Sequence, residues 1–82
     1  MPVIARFYGI VVKMYFREHG VPHFHALYGE HNGVFEIATL DMLEGDLPGR
    51  AERITREWAT RYQVDLTRMW DRREYKQLPG LE

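Results

Sequence analysis

Ile10-Val11-Val12-Lys13-Met14-Tyr15-Phe16-Arg17 is written in period two. Ile10, Val12, Met14 and Phe16 fall on one side and Val11, Lys13, Tyr15 and Arg17 on the other. This is the pattern of a strand with one buried and one partly polar face. Upstream, Val3-Ile4-Ala5-Arg6-Phe7 is a shorter β-prone run, and Tyr8-Gly9 supplies a turn or bulge between the two. Downstream, Arg17 to Pro22 is polar and holds Gly20 and Pro22, so it reads as a loop. Pro22 biases Val21 toward extended geometry and launches a strand over His23 to Tyr28. The next β-prone run is Val34 to Ala38. Asn32-Gly33 before it predicts the hairpin turn, because both residues tolerate positive φ. Met42-Leu43-Glu44 makes a last short strand, which Gly45-Asp46 ends.

Past residue 46 the period changes. Leu47, Ala51, Ile54, Trp58 and Tyr62 step by three or four and draw one apolar stripe down a helix. Asp46-Leu47-Pro48 fits the helix start, with proline in the first turn and an acid at the positive dipole end. The opposite face carries Glu52–Arg56, Arg53–Glu57 and Glu57–Arg61 as i,i+4 pairs of opposite charge. Leu66, Met69 and Trp70 prolong the stripe. Gln63-Val64-Asp65 is a weak helix stretch, so two helices are expected, with Asp65 capping the second. The tail beyond Tyr75 ends in Leu78-Pro79-Gly80 and is expected to fray. Strands followed by helices is the α+β order. The sequence predicts one domain over residues 1–82, with an N-terminal antiparallel sheet of four to five short strands at about 3–45. Two C-terminal helices at about 48–76 pack on one face of it, and a tail occupies 77–82.

Composition narrows the function classes. A chain of 82 residues forms a single domain and buries only about 60–65% of its unfolded surface, so its core is thin. Without cysteine there is no disulfide framework, thiolate zinc finger or thiol nucleophile. No apolar run approaches the roughly 20 residues of a membrane span. Met1 to Arg6 has no basic segment followed by an apolar one, so no signal peptide is expected and the protein reads as cytoplasmic. The net charge of −1 gives no overall attraction to nucleic acid or anionic lipid. That balance is uneven: residues after position 47 sum to +2 (8 basic, 6 acidic) and the rest to −3 (3 basic, 6 acidic).

All four histidines fall between positions 19 and 31. His23 and His25, two apart on a strand, leave the same face with Cα atoms roughly 6.6 Å apart at ~3.3 Å per residue. That separation lets two imidazoles converge on one zinc or other divalent transition metal, with His19 folding back as a third ligand. His31, Glu18 or Glu30 would be a fourth. The bland alternative is a polar strand face whose imidazoles bond to backbone, water or tyrosine. The chain has no serine, and Thr39, Thr55, Thr60 and Thr67 lie in no nucleophile motif.

Arg50, Arg53 and Arg56 recur every three residues, with Arg72-Arg73 further on, as a nucleic-acid or partner surface would. Glu52 and Glu57 interleave with them, which favours a solvated, salt-bridged face. A thin domain cannot hide 13% aromatic residues, so Tyr15, Tyr28 or Trp70 is expected to mark an exposed patch.

Met1-Pro2-Val3-Ile4-Ala5-Arg6-Phe7-Tyr8-Gly9-Ile10, Met14-Tyr15-Phe16, Pro22-His23-Phe24-His25-Ala26, Tyr28-Gly29-Glu30, Leu47-Pro48 and Glu57-Trp58-Ala59 together resemble a family of very small bacterial proteins. It is known as domain of unknown function 4160. The resemblance spans essentially the whole chain. Val21 stands where the family more often has a second proline, and Tyr62 where a histidine is common. The resemblance implies a single-domain intracellular protein, often encoded beside another tiny protein in a toxin–antitoxin-like pairing. It also directs attention to His23 and His25, and it carries no established activity. Three functional expectations stand. The first is a protein-interaction module that self-associates or binds an operon-encoded partner. The second is a metal-dependent hydrolase or nuclease using His19, His23 and His25. The third is a nucleic-acid-binding accessory protein using Arg50, Arg53, Arg56, Arg72 and Arg73.

Overall fold

A computed structural model of the chain describes residues 3–15, 20–74 and 76–81. Five strands come first: β1 (Val3–Phe7), β2 (Ile10–Lys13), β3 (His23–Tyr28), β4 (His31–Glu36) and β5 (Met42–Gly45). Two helices follow, α1 (Gly49–Arg61) and α2 (Gln63–Arg72). The strands pair in chain order, each antiparallel to its neighbour. The expected α+β architecture is present.

Alternation sorts the sheet into two faces. Ile10, Val12, Phe24, Ala26 and Phe35 are buried on one, together with Met14 just past β2. Val11, Lys13, His23, His25, Leu27 and Val34, of opposite parity, are only partly buried. β1 joins β2 through Tyr8-Gly9, whose φ angles of +49° and +80° fit a two-residue primed turn. A register shift in β1 between Val3 and Ala5 lets Ile4 and Ala5 both point inward.

The β3–β4 turn differs from the expectation. It falls at Gly29-Glu30, with Gly29 at φ +60°, and Asn32-Gly33 lies inside β4. The core register decides this, since the observed turn sets Phe24 opposite Phe35 and Ala26 opposite Gly33, all inward. A one-residue slip would turn that set outward. Gly33 is needed for space, because a Cβ there would meet Met42 Sδ at 2.9 Å and Leu47 Cδ1 at 3.0 Å.

Trp58 centres the core. Its indole stacks on Phe7 at 5.3 Å and meets Phe24 edge-on at 6.0 Å, while Phe24 stacks on Phe35 at 5.2 Å. Ala51, Thr55 and Ala59 of α1 and Leu66, Met69 and Trp70 of α2 are buried on the same side. Both helices therefore cover one face of the sheet.

Asp46 does not start α1. Pro48 is the N-cap and makes no side-chain cap bond, while Asp46 accepts from Asn32 N at 3.1 Å and pairs with His31 Nδ1 at 3.2 Å. The helices break at Tyr62, and Asp65 lies in the first turn of α2 instead of capping it. Gln63 Nε2 fixes the break by donating to the Ile37 carbonyl at 2.7 Å and the Ala38 carbonyl at 3.0 Å. Of the three expected i,i+4 ion pairs, Glu52–Arg56 is closed at 2.8 Å.

The tail is not frayed. Leu78 N–H donates to the Ile4 carbonyl at 2.7 Å, and the Trp58 indole N–H donates to the Pro79 carbonyl at 2.8 Å. Leu78 and Leu81 are buried. The tail thus follows the outer edge of β1 and removes an exposed strand edge, a recognised liability.

Candidate functional site

The sheet face that no described helix covers is ordered by strand register. One row reads Val3, Lys13, His25, Val34 and Glu44 across all five strands. The next reads Arg6, Val11, Leu27 and Asn32, and on the other side His23 lies opposite Glu36. Half-buried Val11, Leu27 and Val34 form the apolar middle. Arg6 and Lys13 put positive charge on the β1–β2 side, and Glu36 and Glu44 put negative charge on the β4–β5 side.

A file of rings borders this face at the start of β3. Tyr15 meets His25 edge-on at 4.8 Å, His25 meets His23 at 5.4 Å, and His23 meets Trp70 of α2 at 5.1 Å. The Arg73 guanidinium closes the file, 4.7 Å from the Trp70 ring centre. Arg73 reaches this position as the left-handed C-cap of α2, its N–H donating to the Met69 and Trp70 carbonyls. His23 Nδ1 donates to the Val21 carbonyl at 2.8 Å. That bond places the lone pair of the neutral ring at Nε2.

His23 and His25 share a face, as period two required. His19 lies outside the described residues. His31 is on the helix-covered face, of the same parity as Gly33 and Phe35, and pairs with Asp46. It cannot join His25 as a fourth ligand. Among the described residues no three His, Cys, Asp or Glu side chains come together as a metal site. The Asp46 carboxyl is held below its ordinary range, first by the Asn32 N–H and then by the bond to His31.

The hydroxyls have structural places. Thr60 and Thr67 bond the carbonyls four residues back, Thr39 bonds Glu36, and Thr55 is wholly buried. The arginines are divided as well. Arg56 is tied to the Leu40 carbonyl at 3.0 Å and to Glu52, so it clamps α1 to the β4–β5 connection. Arg50 and Arg53 are exposed on α1, and a step of three residues rotates each by roughly 60° from the last. Arg72 is exposed on α2, and Arg73 faces the ring file. Tyr28 is exposed as expected, whereas Tyr15 is half-buried and Trp70 is 6% exposed because its indole fills the corner between α2 and His23.

The sequence reading missed three contacts: Trp70 against His23, the tail beside β1, and a cleft between Tyr8, Tyr28 and Arg50. The unusual Tyr-Gly turn at 8–9 was the available signal for the cleft.

No described helix is long and apolar enough to cross a membrane. No curated protein and no solved structure matches the chain. A family model matches residues 9–71, which takes in the sheet from the Tyr8-Gly9 turn onward and nearly all of both helices. The chain belongs to the family described as domain of unknown function DUF4160.

Proposed function

We propose that this protein is an interaction module whose open sheet face binds a second copy of the chain. The observation that carries this reading is the row Lys13–His25–Val34–Glu44, basic at one end, acidic at the other and apolar beside its middle. Stacked sheets lie about 10 Å apart. A two-fold axis along β3, between two such sheets, lays β1 over the partner's β5 and β2 over its β4. Each copy's Arg6 and Lys13 then meet the other's Glu44 and Glu36, while Val11, Leu27 and Val34 form the dry centre. The alternative axis, across the strands, superposes like charges and is disfavoured. A stable interface takes about 800 Å² per partner. A molecule of 31 × 25 × 23 Å supplies that only by committing a whole face.

Sedimentation equilibrium tests the reading. The wild-type chain is expected to show a concentration-dependent dimer, and Leu27→Glu to be monomeric with an unchanged circular dichroism spectrum. A wild-type chain that stays monomeric at high concentration contradicts self-association. If that monomer binds a co-expressed neighbouring gene product through Leu27, the occupant is heterologous, and the toxin–antitoxin-like pairing is the surviving form of the proposal.

A further inference from the structure

On the opposite, helix-covered face, a cleft of about 380 Å³ opens where the β1–β2 turn and the end of β3 meet the start of α1. Ligand pockets typically range over about 300–1,000 Å³. Ile10, Ala51 and Ile54 form its apolar floor, Tyr8 and Tyr28 its aromatic walls, and Arg50 its charged rim. Among the described residues, neither tyrosine hydroxyl nor the Arg50 guanidinium has a hydrogen-bond or ion-pair partner. The cleft thus combines an apolar lining with three polar side chains that bond to no described residue.

The backbone gives an independent reason to read this as a site. Tyr8 sits at φ +49°, a left-handed conformation that costs a bulky residue about 1–2 kcal/mol and that asparagine or glycine adopts more easily. Turn formation therefore does not explain the tyrosine, which is 59% exposed. Gly9 is favoured by its φ of +80° and by the neighbouring wall, since a Cβ there would press on the Tyr28 ring at 3.3 Å. The turn is built to bring two phenol rings to one cleft, at a cost in backbone strain.

We infer that this cleft binds a small planar aromatic carboxylate. The ring stacks against Tyr8 and Tyr28 above Ile10 and Ile54, and the carboxylate takes the planar fork of Arg50. A neutral ring would leave Arg50 unused, and an inorganic anion would leave the tyrosine walls unused. The inference does not depend on the dimer proposal, because the cleft and the open face lie on opposite sides of the sheet.

Two-dimensional ¹H–¹⁵N NMR titration with indole-3-carboxylate as the probe tests it, with indole-3-carboxamide as the uncharged control. Saturable shifts are expected at Tyr8, Gly9, Tyr28, Arg50 and Ala51. Arg50→Gln is expected to weaken carboxylate binding by about tenfold and to leave carboxamide binding unchanged. Tyr8→Asn keeps a residue suited to the turn, so it is expected to fold at least as stably and to lose binding by about tenfold. The inference is overturned if no saturable shift occurs at millimolar probe, or if the shifts centre elsewhere. A loss of less than about threefold in either variant overturns it equally.

Discussion

Lys13 and Glu44 stand in one row of the sheet with His25 and Val34 between them, three strand spacings apart on the uncovered face. At about 4.8 Å per spacing, the two charges are roughly 14 Å from each other, too far to neutralise one another within the chain. The row is therefore polar along its length. A surface of this kind is complementary to itself under the two-fold that runs along the strands.

The tail predicts two losses of stability. Trp58→Phe keeps a six-membered ring in the core but removes the rest of the indole, including the N–H that donates to the Pro79 carbonyl. A loss of at least about 2 kcal/mol is expected in urea denaturation, from the void in the core and the lost bond together. Leu78→Ala should cost about 2–3 kcal/mol, because it opens a cavity beside β1. A Leu78→Ala chain as stable as wild type would mean that the tail does not pack.

Gly45 and Gly20 separate strain from collision. Both have strongly positive φ, +125° and +100°, but a Cβ at Gly20 meets no described residue within 4 Å. At Gly45 it would run into the Asn32 carbonyl and the Gly33 backbone. Gly20→Ala is expected to cost about 1 kcal/mol and Gly45→Ala at least about twice that. Thermal unfolding of the pair checks the order.

Thr55 lies wholly buried in α1, and among the described residues its hydroxyl has no hydrogen-bond partner. Valine has the same shape without the polar group, so Thr55→Val is expected to stabilise by about 1 kcal/mol. Chemical denaturation reads the sign directly, and a destabilised variant would mean that the hydroxyl is satisfied.

Asp46 makes part of the acid stability. Its folded carboxyl is shifted down by the Asn32 N–H and by the His31 bond, relative to an ordinary value near about 3.9. A lowered folded value adds stability that is fully present above the unfolded value and lost as pH falls through the folded one. Wild type should therefore lose stability more steeply than Asp46→Asn as pH falls below about 4. Parallel curves in stability-versus-pH titrations would contradict the role given to this carboxylate.

The change of period at residues 46–47 is enough to read strands before helices. Period two likewise sets His23 and His25 on one face, opposite Phe24 and Ala26. What the sequence conceals depends on contacts between distant positions. Asn32-Gly33 has the chemistry of a turn, but the pairing of Phe24 with Phe35 outweighs that local preference and moves the turn to Gly29-Glu30. Leu78-Pro79 reads as a loose end until Trp58, 21 residues away, is seen to donate to it. The cleft joins residues 8, 28 and 50, which no local window contains. Arg56 reads as a surface arginine because its spacing matches Arg50 and Arg53, but the Leu40 carbonyl draws it inward.

The most direct test of self-association through the open face is a charge exchange between Lys13 and Glu44, read by sedimentation equilibrium at low salt. Lys13→Glu alone gives a row acidic at both ends beside the remaining Arg6, and Glu44→Lys alone gives a row basic at both ends beside the remaining Glu36. Each variant is expected to dimerise about tenfold or more weakly than wild type. Mixed in equal amounts, the two should form a heterodimer at least as tight as the wild-type dimer. In that pair the carboxylate introduced by Lys13→Glu lies one strand spacing to the side of the ammonium introduced by Glu44→Lys, within reach of these long side chains, and the native Lys13 of one chain lies likewise beside the native Glu44 of the other. Dimers of undiminished affinity in the single variants, or a mixture that fails to associate, would contradict the account.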